Sequence, residues 1–160
     1  MEDKSFIRGE TPAIIPEDWE NKGLRRRILV VEDDDDIRGF NAEALTGCGY
    51  HVEAAVDGAQ GWEALNASRY DLLITDNNMP KLTGIELIKK LNDAHMAVPV
   101  ILASGMPHPE ESELRLAATL PKPFTLEELL GTVKKVLGEA DGGEWRAPPS
   151  NRPPVDPWRV

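Results

Sequence analysis

The 160-residue chain has one cysteine, Cys48, so it holds neither a disulfide framework nor a CxxC metal site and suits a reducing compartment. No apolar run approaches the roughly 20 residues that span a bilayer, and the N-terminus lacks the charged-then-apolar pattern of a signal peptide. The expectation is a soluble, cytoplasmic protein with no membrane partner. Positive charge is scarce: 18 Lys and Arg stand against 28 Asp and Glu, a formal net charge of −10. That argues against nucleic-acid binding, which needs basic surface to displace counterions. No GxxxxGK[ST] loop is present, so the chain does not cradle nucleotide phosphates itself. Gly47-x-Gly49 follows a helical pattern rather than a strand and is no dinucleotide fingerprint.

The length supports one domain with tails. Residues 1–27 carry six acids and six bases, residues 139–160 four acids and three bases, and residues 28–138 carry 18 acids against 9 bases. The acidity belongs to the middle, where it favours metal cations and basic partner surfaces. Residues 1–27 show no sustained period and read as an extension or linker, with Arg25-Arg26-Arg27 as a solubilising flank before a strand. Residues 139–160 hold five prolines and no period and read as a flexible Pro-rich tail; Trp145 and Trp158 are unusual for pure linker.

The segment from Tyr70 to Pro80 organises the rest. An apolar run ends at Asp76, before polar residues and Pro80, as a buried strand opening onto a loop would. Ligands of open α/β sheets bind outside the carboxyl ends of the strands, so an acid there is placed for chemistry. A second strand has the same ending: Ile28 to Val31, three of its four residues β-branched, runs into Glu32-Asp33-Asp34-Asp35-Asp36. Asp34 to Asp36 can cap and charge the next helix, whose apolar face is read as Ile37, Phe40, Ala44 and Leu45; Glu32 and Asp33 remain at the strand mouth. His51 to Ala55 is a shorter strand, Asp57-Gly58 a turn, and Gln60 to Ala67 a helix with Trp62 and Leu65 on its packing side. Ile85 to Asn92 is a helix. Pro99 to Ala103 is a strand ending at Ser104. The prolines at 107 and 109 delay a short helix over Glu110 to Ala117. Ala118 to Leu120 is a weak strand, placed at a sheet edge by Pro121. Thr125-x-x-Glu128 is a capping box opening a helix with Leu126, Leu129, Leu130, Val133, Val136 and Leu137 as its core stripe.

Five β-α units over residues 28–138 imply a parallel sheet covered on both faces. All strand ends then share one rim, which carries Glu32, Asp33, Asp76, Ser104 and Lys122. Three ionised acids in one pocket raise one another's pKa and call for a cation; oxygen ligands favour Mg2+. A metal, the Lys122 ammonium and the Ser104 hydroxyl around one carboxylate suit in-line phosphoryl transfer. Asp76 is then the nucleophile and becomes an acyl phosphate, with the donor coming from elsewhere.

Val30-Val31-Glu32-Asp33, Asp76-x-x-Met79-Pro80 with Gly84 eight residues beyond the Asp, Pro99-Val100-x-x-x-Ser104 and Lys122-Pro123-Phe124 together resemble the receiver domain of bacterial two-component response regulators (the CheY-like superfamily), over residues 28–138. The resemblance implies a flavodoxin-like (βα)5 three-layer sandwich with a five-stranded parallel sheet of order 2-1-3-4-5. It implies that Asp76 is the phosphoacceptor and that Asp33, Asp76 and the main-chain carbonyl of Asn78 ligate Mg2+, with Glu32 holding a metal water. Ser104 and Lys122 would contact the phosphoryl group, and the Lys122-Pro123 bond would be cis. The expected donor partner is a sensor histidine kinase or phosphotransfer protein; a downstream protein is implied but not named.

The sequence departs from the family pattern in a short, proline-broken stretch from Ser104 to Lys122 and in Thr119, where many relatives carry an aromatic switch residue. Both lie on the face relatives use for output and dimerisation, so a weak homodimer stays open. The expected function is a stand-alone phospho-aspartate signalling switch, not an enzyme. Its alternatives are a degenerate receiver acting as a phosphorylation-independent binding module, a receiver excised from a hybrid histidine kinase, and a phosphatase of the haloacid dehalogenase type. The last wants a second acid two residues after the nucleophile, where this chain has Asn78.

Overall fold

Four apolar residues in a row suit a strand covered on both faces, and Ile28, Leu29, Val30 and Val31 are all at most 1% exposed. In the computed structural model, which describes residues 25–138, they form β1 (Arg27–Val31) beside the second fully buried strand, β3 (Leu72–Asp76). The edge strand β2 (His51–Ala55) is only partly covered, with Ala55 its one buried residue; β4 (Val100–Ser104) and the short β5 (Ala118–Pro121) complete the other side. The strands are parallel in the order 2-1-3-4-5, as the resemblance implies. Val31 pairs with Thr75 and Asp76 with Ala103, which brings the ends of the three central strands to one level.

Because side chains alternate across a strand, the sheet sorts its apolar residues into two cores. Leu29, Val31, Leu73, Val100 and Leu102 face α2 (Gly58–Ala67) and α3 (Gly84–Asp93). Ile28, Val30, Leu72, Ile74, Ile101 and Ala103 share the opposite core with Leu45 of α1 (Asp35–Gly47) and Leu129, Val133 and Leu137 at α4 (Leu126–Val136). Burying a Leu or Ile fully is worth roughly 1.5–3 kcal/mol, so these two layers hold the strand ends in place.

The helix starts follow from their caps. Asp34 accepts from the Ile37 amide, Asp57 from Gln60, and Thr125 with Glu128 closes the expected capping box. Asp57 thereby starts α2 two residues before the Gln60 read from sequence. Thr83 and Glu86 form a further capping box at α3.

Four expectations need correction. The segment after β4 forms a 3-10 turn (Pro109–Glu113) rather than a helix over Glu110–Ala117. Leu114 already has extended backbone there, and Leu114 and Leu116, two apart, turn onto the first core. On α1 the buried residues are Asn41 and Leu45, whereas Phe40 is 56% and Ile37 37% exposed. The inward stripe thus runs one residue later than the apolar pattern suggested. On α4, Leu126 is 40% exposed and the stripe begins effectively at Leu129. The Arg25-Arg26-Arg27 cluster is an anchor, not a solvated flank. Arg25 Nε donates to the Gly49 carbonyl at 3.0 Å, Arg26 pairs with Asp71 at 3.9 Å and Arg27 with Glu53 at 2.6 Å, tying the base of β1 to its neighbours. Trp145 and Trp158 lie outside the described residues, as does the stretch before Arg25.

Candidate functional site

At the carboxyl end of β3 the Asp76 side chain is 6% exposed. It would be an unpaired buried charge were it not for Lys122, whose ammonium lies 2.9 Å from Asp76 Oδ1 and 3.2 Å from Glu32 Oε1. Lys122 follows β5, and its own amide donates to the Ser104 carbonyl at 2.9 Å. The peptide bond from Lys122 to Pro123 is cis, as expected. Glu32 continues β1 by one residue, its amide donating to the Ala55 carbonyl at 3.1 Å. Glu32 is buried and Asp33, next in the chain, is exposed; ligand oxygens of Glu32, Asp33 and Asp76 all lie within 4.8 Å of one another. Two separate strand ends therefore deliver three carboxylates to one small volume.

The electrostatics are those of a site short of positive charge. Burial raises the Glu32 carboxyl above its ordinary value. The Asp34 amide opposes that rise, the charge of Asp76 adds to it, and Lys122 counters it. Burial, the largest influence on Lys122, works to lower its pKa. The hydrogen bonds and charges of Asp76 and Glu32 together nonetheless leave it above the ordinary lysine value. Three acids against one ammonium, with oxygen donors only, fit a hard divalent cation such as Mg2+.

The loop leaving Asp76 is built to stay close. Asn77 accepts the Ile85 amide on its side-chain oxygen at 3.0 Å and the Gly84 amide on its carbonyl at 3.1 Å, which folds the start of α3 back under the strand end. Gly84 touches the Asp76 main chain: a Cβ there would fall on the Asp76 carbonyl oxygen and 3.0 Å from Asn77 Cα. This is the spatial reason for a glycine eight residues after the acid. Asn78 is exposed in this loop and Met79 is buried below it. Lys81, whose backbone is left-handed (φ 71°), reaches Asp57 at 3.3 Å and joins the loop to the start of α2.

Ser104 stands at the end of β4, one residue past the partner of Asp76. Its hydroxyl donates to the Met106 carbonyl at 2.7 Å and accepts from the Met106 amide at 3.3 Å, so it is engaged with its own loop. Thr119 is exposed beside a shallow groove that Met106, Pro107 and Glu111 also line. Sequence reading missed two residues that organise the site, Asn77 and Arg38. Arg38 Nη1 donates to the Glu32 carbonyl at 2.9 Å. Its one sequence signal is a cation in the first turn of a helix, the end where the dipole disfavours it.

The response regulator receiver domain family matches residues 28–134. The response regulator receiver protein CpdR of Brucella abortus is 35% identical over 116 residues, covering 70% of this chain and 97% of that protein. Response regulator MprA of Mycobacterium ulcerans is 36% identical over 115 residues, covering 69% of this chain and 50% of its own length, so the chain spans about half of that relative. Among solved structures, the receiver domain of Francisella response regulator 1452 is similar at a TM-score of 0.67 and 29% identity, covering 71% of this chain and 98% of its own. Chemotaxis response regulator CheY4 of Vibrio cholerae is similar at 0.65 and 30%, covering 70% and 98%. By sequence, by fold and by the acid cluster at its strand ends, the chain belongs to the response regulator receiver family of two-component signalling, whose members are phosphoacceptor switches rather than enzymes.

Proposed function

We propose that Asp76 takes a phosphoryl group from a phosphohistidine on a sensor histidine kinase or phosphotransfer protein, and that the resulting aspartyl phosphate switches binding to a downstream protein. The observation that carries this is the Lys122 ammonium seated between Asp76 and Glu32, with Asp33 beside them. A carboxylate oxygen of Asp76 forms the new bond to phosphorus as the donor's N–P bond breaks and the electron pair leaves with the imidazole nitrogen. Asp33, Asp76 and the Asn78 main-chain carbonyl would hold Mg2+, and Glu32 would engage it through water. The ion would supply neutralisation of charge on the transferring oxygens. Lys122 contributes a point charge that leaves Asp76 for the incoming phosphoryl oxygens.

Ser104 supplies the switch. To donate to a phosphoryl oxygen its hydroxyl must leave Met106, so phosphorylation favours a rearranged segment after β4 over the present one. That segment carries a 3-10 turn where the sequence suggested a helix, and it contacts α3 through the Lys89–Glu110 ion pair at 2.7 Å. The test is intact-mass spectrometry after incubation with acetyl phosphate and Mg2+. One phosphoryl adduct is expected, absent without the metal and absent in Asp76→Asn; labelling that persists in Asp76→Asn rules the assignment out.

A further inference from the structure

We propose that Arg38 is a positioning residue for the cation site: it holds the main chain of Glu32 and Asp33 from beneath, so that their carboxylates meet Asp76. The inference rests on the Mg2+ reading above and concerns how this chain builds that site. An arginine in the first turn of α1 sits at the positive end of the helix dipole, where a cation is disfavoured. Breaking a local rule of this kind is expected where a site gains by it.

A solvated arginine would extend into water, yet the Arg38 side chain is only 17% exposed although four aspartates precede it. Nη1 donates to the carbonyl oxygens of Glu32 at 2.9 Å and Asp33 at 3.5 Å, while Nη2 is paired with the Asp35 carboxylate. Asp34 braces the same turn from within, its amide donating to Glu32 Oε2 at 3.2 Å and its carboxylate capping α1 at Ile37. One planar guanidinium thus engages two carbonyls and a carboxylate at once, which a lysine ammonium on a flexible stem does not reproduce. Arg38 touches none of the three clustered carboxylates through an ion pair, so its effect on them passes through the backbone.

Charge and positioning predict opposite signs. As a mere positive charge near the acids, Arg38 would oppose a cation, and removing it would tighten Mg2+ binding. As a positioning residue it supports the cation, and removing it weakens binding. Partners that orient metal ligands typically account for 10- to 100-fold in affinity. The experiment is calorimetric titration of the full chain with Mg2+ at fixed ionic strength, well below the melting temperature, for the wild type, Arg38→Met and Arg38→Lys. We expect Arg38→Met to weaken binding by about 10-fold or more, and Arg38→Lys, which keeps the charge but loses the fork, to weaken it by most of that amount. Unchanged or tighter binding in Arg38→Met overturns the inference, and so does full recovery in Arg38→Lys. The lysine variant, which keeps both the charge and a long aliphatic stem, keeps the test open if the methionine variant folds poorly. If the wild type binds no Mg2+, the cation reading itself fails; if it binds and the variants match it, only the role of Arg38 does.

Discussion

The Lys122 ammonium sits 2.9 Å from Oδ1 of Asp76 and 3.2 Å from Oε1 of Glu32, so one cation is shared by two of the three clustered carboxylates. Lys122 is therefore both the partner that makes a buried Asp76 tolerable and a competitor for cations. Lys122→Ala should lower stability without Mg2+ by about 1–3 kcal/mol, less than a fully buried pair because Lys122 is 23% exposed. It should at the same time bind Mg2+ more tightly than the wild type, since one positive charge has left the cluster, while accepting phosphate from acetyl phosphate far more slowly. Urea denaturation, calorimetry and mass spectrometry read the three effects. Weaker Mg2+ binding in this variant would contradict the arrangement.

Gly84 faces the carbonyl of the same aspartate. Gly84→Ala puts a methyl group against the backbone of Asp76 and Asn77, which cannot yield as a flexible side chain would. Overpacking of this kind costs about 1–3 kcal/mol, and labelling of Asp76 should fall even at temperatures where the variant is folded, because the strand end itself must shift. Gly39→Ala on α1 is the control: nothing lies within 4 Å of its new methyl group, and a helix-interior Gly→Ala change should stabilise by about 0.5–1 kcal/mol. Equal effects at the two positions would refute the steric account.

Glu32 makes the stability of the metal-free protein depend on pH in a definite direction. Its carboxyl has a higher pKa folded than unfolded, so the folded chain holds that proton more strongly. The stability this adds is fully present below the ordinary value of 4.5 and is lost as pH rises through the raised folded value. Compared with Glu32→Gln, which stays neutral, the wild type should match at low pH and fall behind as pH climbs above 4.5. Added Mg2+ should close the gap, because the ion favours the ionised form. Urea midpoints for both proteins across this range, with and without the metal, provide the check, and a gap independent of pH would exclude the assignment.

Much of this molecule is written in local patterns. The unbroken apolar runs of β1 and β3, the caps at Asp34 and Thr125 and the prolines after Ser104 and Leu120 report on their own backbone neighbourhood, so element order and the parallel sheet could be read from them. Parallel strands put all their carboxyl ends on one rim, and that rule alone nominated Glu32, Asp33, Asp76, Ser104 and Lys122. The 3-10 turn after β4 is not legible in local pattern, because the acidic stretch after Pro109 suits a helix, whereas Leu114 and Leu116 pack on the first core as alternate residues of an extended chain.

What the residue order settled, then, is which groups stand at the mouth of the sheet, since strand polarity and side-chain alternation are properties of each segment. Folding in three dimensions decided who touches whom. Lys122 meets Glu32 across 90 residues, Gly84 meets the Asp76 carbonyl, Arg38 turns back under Glu32, and Asn41 rather than Phe40 enters the core. Periodicity marks which face of a helix or strand is apolar, but the partner of a charged or polar atom depends on distances between elements far apart in the chain. Those distances exist only once both cores have closed.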